Sequence, residues 1–322
     1  MNWFLSEFNI HAWRLIKNYK PKEAPDVTLI YGPRGIGKSA LLCDLYQNFR
    51  LIERSIFTDA LSFSRQYAYA AQDNKLNSFR QRYRSIRLLL IDDLQLFKGK
   101  VKTLEELQST YEYVLDNGGK LVVTLEADLP QLEFLGERLA SRFLSGLVVP
   151  VNRPLANELE RFLEEYIRRE HLFVESSVPE VIAERTDNLA EAMRIIKQFV
   201  QFAELQQDEL SLECFRLYWE TEAKKRNQLA DPRNIIQIVA QTMGISVEEL
   251  VGPSRKPKAN EARQLAIYMI RTLCQISYPE IANYFNRNHS TMIVSYKKMQ
   301  AKLPKDYELN EKYEIMLNVF KA

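Results

Sequence analysis

Leu29–Leu42 reads L-I-Y-G-P-R-G-I-G-K-S-A-L-L, and its reading decides the fold. Gly32-x-x-x-x-Gly37-Lys38-Ser39 fits the pattern G-x-x-x-x-G-K-[ST] that cradles phosphates. Val27–Tyr31 is a short apolar run that predicts a buried strand. Ser39–Phe49 carries apolar residues at Leu41, Leu42, Leu45 and Phe49 and predicts a helix. Strand, glycine-rich turn and helix is the order that phosphate binding needs. The backbone N–H groups of Gly32, Pro33, Arg34, Gly35, Ile36 and Gly37, proline's missing one excepted, close around the phosphates, and the helix N-terminus adds positive potential. Lys38 is expected to pair the β- and γ-phosphates of ATP, and Ser39 to hold Mg²⁺.

Working outward, Leu88–Ile91 is a second apolar strand, ending in Asp92-Asp93. A strand ending in two carboxylates completes such a site. Asp92 would bind Mg²⁺ directly or through water, and Asp93 would orient or deprotonate the attacking water. Leu121–Thr124 and Leu147–Val151 are further strands, Ser55–Phe57 a short one, and helices alternate with them. The pattern predicts an α/β fold, a parallel sheet covered on both faces, with ligands at the carboxyl ends of the strands. Gly32–Ser39, Asp92-Asp93 and Thr124–Glu126 all fall there. The amphipathic stretch Phe8–Tyr19 either packs near the bound base or is a plain docking helix.

Arg138 and Arg142 are four residues apart on one predicted helix face. They read either as guanidinium groups offered to a neighbouring subunit's nucleotide or as surface partners of Glu133 or Glu137. From Asn157 to Arg226 the chain reads as helices alone, a small all-helical domain. Asp231-Pro232 opens a further helix, with Pro at its first position. A basic linker, Gly252–Ala259, precedes a helix over Asn260–Cys274.

Tyr278–Phe285, Asn286-Arg287-Asn288 and His289–Lys302 read as helix, turn and helix. The second helix would enter a major groove with Asn288, His289, Ser290 and Thr291 against base edges. Arg255, Lys256, Lys258, Arg263, Arg271, Lys297 and Lys298 would then hold phosphates. Pro253–Lys302 holds nine Lys/Arg against two acids, although the whole chain of 322 residues is only +2. A basic end on a near-neutral protein points to a dedicated nucleic-acid module; an ordinary helical hairpin with a solvated charged surface is the alternative.

Composition excludes several classes. No stretch approaches the roughly 18 uninterrupted apolar residues of a membrane span, and the N-terminus lacks a basic and then apolar signal segment. Three scattered cysteines (Cys43, Cys214, Cys274) rule out a disulfide framework, and three isolated histidines provide no metal pair. A cytoplasmic, nucleoid-associated protein is expected.

These motifs together resemble the bacterial replication initiator family DnaA, an AAA+ ATPase family. The residues that carry the resemblance are Gly32–Ser39, Asp92-Asp93-Leu94-Gln95, Glu137-Arg138-Leu139-Ala140-Ser141-Arg142-Phe143, Pro279-Glu280-Ile281 and Asn288-His289-Ser290-Thr291, from about residue 8 to 302. The resemblance implies an AAA+ base over 1–151, a helical lid over 152–226, and an all-α helix-turn-helix domain over 227–322 that reads double-stranded boxes. It makes Arg142 an arginine finger acting in trans, with Arg138 in the same inter-subunit motif. Ser64 and Lys102 are placed near single-stranded DNA, Arg263 and Arg271 on the duplex backbone, and His289, Ser290 and Thr291 on bases.

It further implies weak ATP hydrolysis with ATP acting mainly as a switch, a homo-oligomer or filament, origin melting, and a full-length initiator as a candidate partner. Four departures stand out. The family's N-terminal helicase-contacting domain and linker are not in the sequence. The lid's sensor 2 arginine aligns with Ala190, Arg194 being a possible substitute one turn later. The sensor 1 aspartate is Glu126. The D-H-T-T motif is Asn288-His289-Ser290-Thr291. A non-melting DNA-binding regulator of replication or transcription is the alternative function, and a helicase loader or initiator inactivator a third.

Overall fold

The computed structural model describes residues 3–229, 231–254, 256–303 and 306–321. The chain forms two compact units, Met1–Phe215 and Arg216–Ala322.

The first unit begins with α1 (Ile10–Lys17) and the phosphate-loop strand β1 (Val27–Gly32), followed by α2 (Lys38–Phe49) and β2 (Ser55–Asp59). Next come α3 (Ala60–Gln72), α4 (Leu76–Arg84), β3 (Leu88–Asp92), α5 (Val101–Asp116), β4 (Lys120–Glu126), α6 (Glu137–Leu144) and β5 (Leu147–Pro150). The five strands form one sheet in the order β2-β3-β4-β1-β5, every pairing parallel. Both faces of the sheet are apolar because both are covered, so the strands read as continuous rather than alternating apolar runs. Leu29, Leu89, Ile91, Leu121 and Val123 pack on one side with Phe63, Phe79, Tyr83, Leu107 and Phe143. Ile30, Leu88, Leu90, Val122 and Val149 pack on the other with Ala12, Ile16, Leu41, Leu42 and Leu45. The ends of β1, β3 and β4 come together by register, with Gly32 opposite Glu126 and Ile91 opposite Val123.

Three helices complete this unit: α7 (Ala156–Arg169), α8 (Ser177–Ala183) and α9 (Leu189–Gln206). Asn188 caps α9 by accepting from the Glu191 N–H at 2.8 Å. Ala192, Ile195, Ile196 and Phe199 of α9 are buried, as are Leu159 and Leu163 of α7 and Val178 and Ile182 of α8, and α9 packs against both of those helices. Helix α10 (Leu212–Leu229) runs across the boundary between the units, with Phe215 edge-on to Phe199 at 5.2 Å.

The second unit contains α11 (Pro232–Met243), α12 (Val247–Val251), α13 (Pro257–Leu273), α14 (Tyr278–Phe285), α15 (His289–Lys302) and α16 (Tyr307–Lys321). Its core gathers Ile235, Val239, Leu265, Ile270, Ile281, Phe285, Met292, Met299 and Met316. Two differences from the sequence reading appear here. The linker is shorter than Gly252–Ala259, because Pro257 opens α13 from its first turn, where a missing N–H costs nothing. Helix α16 follows Lys302, beyond the last predicted element.

Candidate nucleotide site and nucleic-acid interface

The nucleotide site begins at the turn from β1 into α2. Gly35 and Gly37 have φ of 77° and 100°, values that side chains strain to adopt. Gly35 also has no room for one: a Cβ there would lie 2.6 Å from Asn188 Oδ1 and 3.2 Å from the Ala190 Cβ. The reason is that the start of α9 lies directly on the loop, with the Ala190 N–H donating to the Gly35 carbonyl at 3.0 Å. The Lys38 amine, 6% exposed, donates to the Pro33 carbonyl at 2.6 Å. Burial lowers its pKa, against the opposing pull of the Glu126, Asp93 and Asp92 carboxylates.

A cleft of about 500 Å³ opens above the loop, lined by Arg34, Lys38, Ser39, Asp93 and Glu126 from the sheet side. The helices above contribute Phe162, Leu189, Ala190 and Met193. At the end of β3, Asp92 is buried and accepts a hydrogen bond from the Thr124 hydroxyl. Asp93 sits in the left-handed region at φ 59°. Its backbone N–H donates to the same Thr124 oxygen at 2.9 Å. Gln95 spans the next gap: its Nε2 donates to Asp93 Oδ1 at 2.9 Å, and its Oε1 accepts from the Glu126 N–H at 2.9 Å. The two acids are therefore fixed to β4 by Thr124 and Gln95. Burial is the main cause that raises the Asp93 pKa, with the Asp92 charge adding to it and the Gln95 hydrogen bond opposing.

Among the described residues no group of three or more His, Cys, Asp or Glu could hold a metal ion unaided. A hydroxyl at Ser39 and carboxylate oxygens at Asp92 nevertheless suit a hard cation that brings its other ligands with it as phosphate oxygens and water, the usual habit of Mg²⁺. The donor set fits ATP–Mg²⁺.

The other sequence-predicted residues divide. Arg142 on α6 is exposed and makes no ion pair among the described residues. Arg138 pairs with Glu112 at 2.8 Å, so neither Glu133 nor Glu137 is its partner. Arg194 is turned along its own helix, bonded to Gln198 Oε1 at 3.0 Å and 3.6 Å from Glu191 Oε1. It does not line the cleft; Ala190 and Met193 do. In this geometry Arg194 is directed along α9 and away from the cleft.

For Ser64 the structure differs from the expectation. It is buried on α3 with its hydroxyl given to the Ala60 carbonyl at 2.6 Å, so it offers nothing to single-stranded DNA. Lys102, at the start of α5, is exposed.

In the second unit, α14 opens with a capping box. The Ser277 N–H donates to Glu280 Oε2 at 2.8 Å, and the Glu280 N–H returns to the Ser277 hydroxyl. Asn286, at φ 48°, ends it and turns the chain into α15. Asn288, His289, Ser290 and Thr291 are all exposed at the start of α15, and the Asn288 side chain makes no capping bond. Met292 and Met299 anchor the opposite face in the core, while the Tyr296 ring stacks on Tyr268 at 5.1 Å. Lys297 and Lys298 are exposed. Lys256 is exposed but paired with Glu249 at 3.1 Å. Arg255 lies outside the described residues.

Arg263 also departs from the expectation. It is 4% exposed and donates to the carbonyls of Leu250, Ser254, Glu249 and Gly252 at 2.7, 3.1, 3.2 and 2.8 Å. Those carbonyls end α12 and its following turn, where a helix leaves acceptors without partners. Arg263 caps that end from α13 instead of facing a phosphate. Arg271 is partly committed too, to the Gln275 and Ile276 carbonyls and the Tyr278 ring.

The sheet order, phosphate loop, tandem acids and overlying helices define an AAA+ P-loop ATPase core, joined in one chain to a helix-turn-helix unit. A family model described as a bacterial DnaA ATPase domain matches residues 6–150, and one described as a bacterial dnaA protein helix-turn-helix matches residues 232–299. The chromosomal replication initiator protein DnaA of Deinococcus radiodurans is 29% identical over 303 residues, covering 93% of this chain but only 65% of that protein. A solved replication initiator DnaA bound to AMPPCP and single-stranded DNA superposes with a TM-score of 0.61 at 25% identity, covering 100% of this chain and 96% of that one. A RuvB Holliday junction branch migration motor from Thermotoga maritima shares the fold at 17% identity, with a TM-score of 0.51 over 76% of this chain and 84% of its own. Both matched models are DnaA family models, one over the nucleotide-site unit and one over the helix-turn-helix.

Proposed function

We propose that this chain is a nucleotide-switched initiator of DNA replication. ATP binds at Gly32–Ser39 with Mg²⁺ on Ser39 and Asp92, and the metal supplies charge neutralisation at the phosphates. Asp93, held by Gln95, orients water for a slow hydrolysis that resets the switch. Copies of the chain stack so that Arg142 of one reaches the phosphates of the next. Residues 227–322 dock on duplex boxes through Asn288, His289, Ser290 and Thr291, with Lys297 and Lys298 on phosphates. The stacked assembly, with single-stranded DNA held near Lys102, opens adjacent duplex.

One observation carries this reading: the Asp92–Thr124–Asp93–Gln95–Glu126 network stands at the cleft with Lys38, in a chain that also bears an exposed recognition-helix start. The test is assembly on a duplex with several boxes beside an AT-rich segment, with permanganate probing of unpaired bases. Melting with ATP, but not with ADP or with Arg142→Ala, supports the initiator.

A second reading is favoured by the wholly apolar lining that α7 and α9 give the cleft. Without a cation from above, ATP binding could be uncoupled from turnover, and the chain would act as a DNA-binding regulator. Tight box binding with neither melting nor nucleotide dependence puts that reading first.

A further inference from the structure

ATP and ADP differ by one phosphate, so a protein that switches between them needs a group that touches the third phosphate alone. The cleft narrows the choice. Asp93 and Glu126 are acids and repel phosphate. Phe162, Leu189, Ala190 and Met193 carry no charge. Arg194, the nearest arginine of α9, is bonded within its own helix. Lys38 sits at the floor of the loop, buried and bonded to the Pro33 carbonyl.

Arg34 differs from all of these. It lines the same cleft, its side chain is exposed, and it makes no hydrogen bond or ion pair among the described residues. Its neighbour Gly35 is clamped under α9, by the Ala190 N–H on the Gly35 carbonyl at 3.0 Å and by the lack of room for a Cβ. That clamp fixes the backbone from which the Arg34 guanidinium projects. Neither Asp93 nor Glu126 neutralises it, although both line the cleft. A free guanidinium on the rim of a phosphate loop offers a planar fork matched to phosphate oxygens.

We propose that the Arg34 side chain reads the terminal phosphate of the nucleotide in cis and sets the preference for ATP over ADP. The discriminating charge then comes from the phosphate loop itself and not from the helices that cover it. This rests on the nucleotide site described above.

The experiment is a fluorescence titration of the full chain with a non-hydrolysable ATP analogue and with ADP, in wild type, Arg34→Ala, Arg34→Lys and Lys38→Ala. Loss of a charge-assisted phosphate contact is expected to weaken the triphosphate by about tenfold or more in Arg34→Ala, leaving ADP affinity as in wild type. Arg34→Lys should recover part of the difference, since it keeps the charge and loses the fork. Lys38→Ala should lose both nucleotides. If Lys38→Ala binds as wild type does, or wild type binds neither nucleotide, the nucleotide site itself is wrong and the proposal falls with it. If wild type binds, Lys38→Ala does not, and Arg34→Ala keeps the wild-type ratio of triphosphate to diphosphate affinity, the site stands and the proposal alone is overturned.

Discussion

Replacing Arg263 by alanine separates a structural arginine from a DNA contact. The guanidinium donates four hydrogen bonds to the carbonyls that end α12 and its turn, and Gly252 accepts a further one from Arg287 Nη2 at 2.9 Å. Burial and the nearby Arg287 charge lower the Arg263 pKa, and the four carbonyls offset the cost of burying its charge. In Arg263→Ala four hydrogen bonds are lost, Gly252 keeping the one from Arg287, at a net cost of about 1 kcal/mol each, or about 4 kcal/mol together. Against a domain stability of about 5–15 kcal/mol this is a large fraction. For a unit of this size it corresponds to a melting point lower by roughly 15–30 °C.

Hydrogen exchange in the full chain gives a local readout: amides of α12 and α13 should lose protection, while those of β1, β3 and β4 keep theirs. Arg263→Lys should recover little, because a single ammonium cannot reach four carbonyls in a fixed fork. The opposite result is well defined. Unchanged protection in α12 and α13, together with a DNA affinity that falls uniformly across sequences and a salt slope reduced by about one, would show that Arg263 faces a phosphate and refute the capping argument.

Two further outcomes follow from the same geometry. Asp93 has a folded pKa raised above its ordinary value, so its share of stability is present below the unfolded pKa and is lost as pH rises through the folded one. Asp93→Asn should therefore raise the melting temperature of the ATPase unit at neutral pH, with the gain vanishing below about pH 4, where the wild-type carboxyl is protonated in both states. ATP hydrolysis by the wild type should fall on acidification at a pH above the usual aspartate range, as a pH–rate profile would show. On the DNA side, Lys297→Ala with Lys298→Ala should weaken binding evenly across sequences and flatten its salt dependence, whereas His289→Ala or Thr291→Ala should relax base preference at a cost of about 1–3 kcal/mol; competition titrations at several salt concentrations distinguish the two.

Much of this was legible from residue order alone. A strand buried on both faces must be apolar at every position, so Val27–Tyr31, Leu88–Ile91 and Leu121–Thr124 announce a covered parallel sheet. Gly32–Ser39 and Asp92-Asp93 belong to strand ends whatever else surrounds them. The early proline of Tyr278–Phe285, the turn at Asn286-Arg287-Asn288 and the polar start of α15 made the helix-turn-helix readable.

What escaped was everything decided by direction across space. Nothing in the spacing of α13 says that Arg263 points inward, since its acceptors lie on a five-residue helix before it and on the turn that follows that helix. Ser64 was placed near single-stranded DNA by the resemblance alone. It follows Phe63 on the buried face of α3, however, and its hydroxyl finds an acceptor one turn back. Thr124 and Gln95 hold the tandem acids, yet their roles depend on β4 lying beside β3, an order no local pattern reveals. A threonine inside the apolar run V-V-T-L was the available signal for the first, and the Gln two residues after Asp93 for the second.

The interior place of β1 in the sheet has a consequence for how the chain is made. On the ribosome β1 emerges first, but its neighbours on either side are β4 and β5. The apolar segment Val27–Tyr31 has no strand to pair with until Leu121 and then Leu147 have left the exit tunnel. Contacts so distant along the chain form slowly, and an apolar strand with unpaired edges invites association with other chains in the meantime. The phosphate loop is thus synthesised before either of the strands that flank β1, and the sheet edge that carries it is completed only when both have arrived.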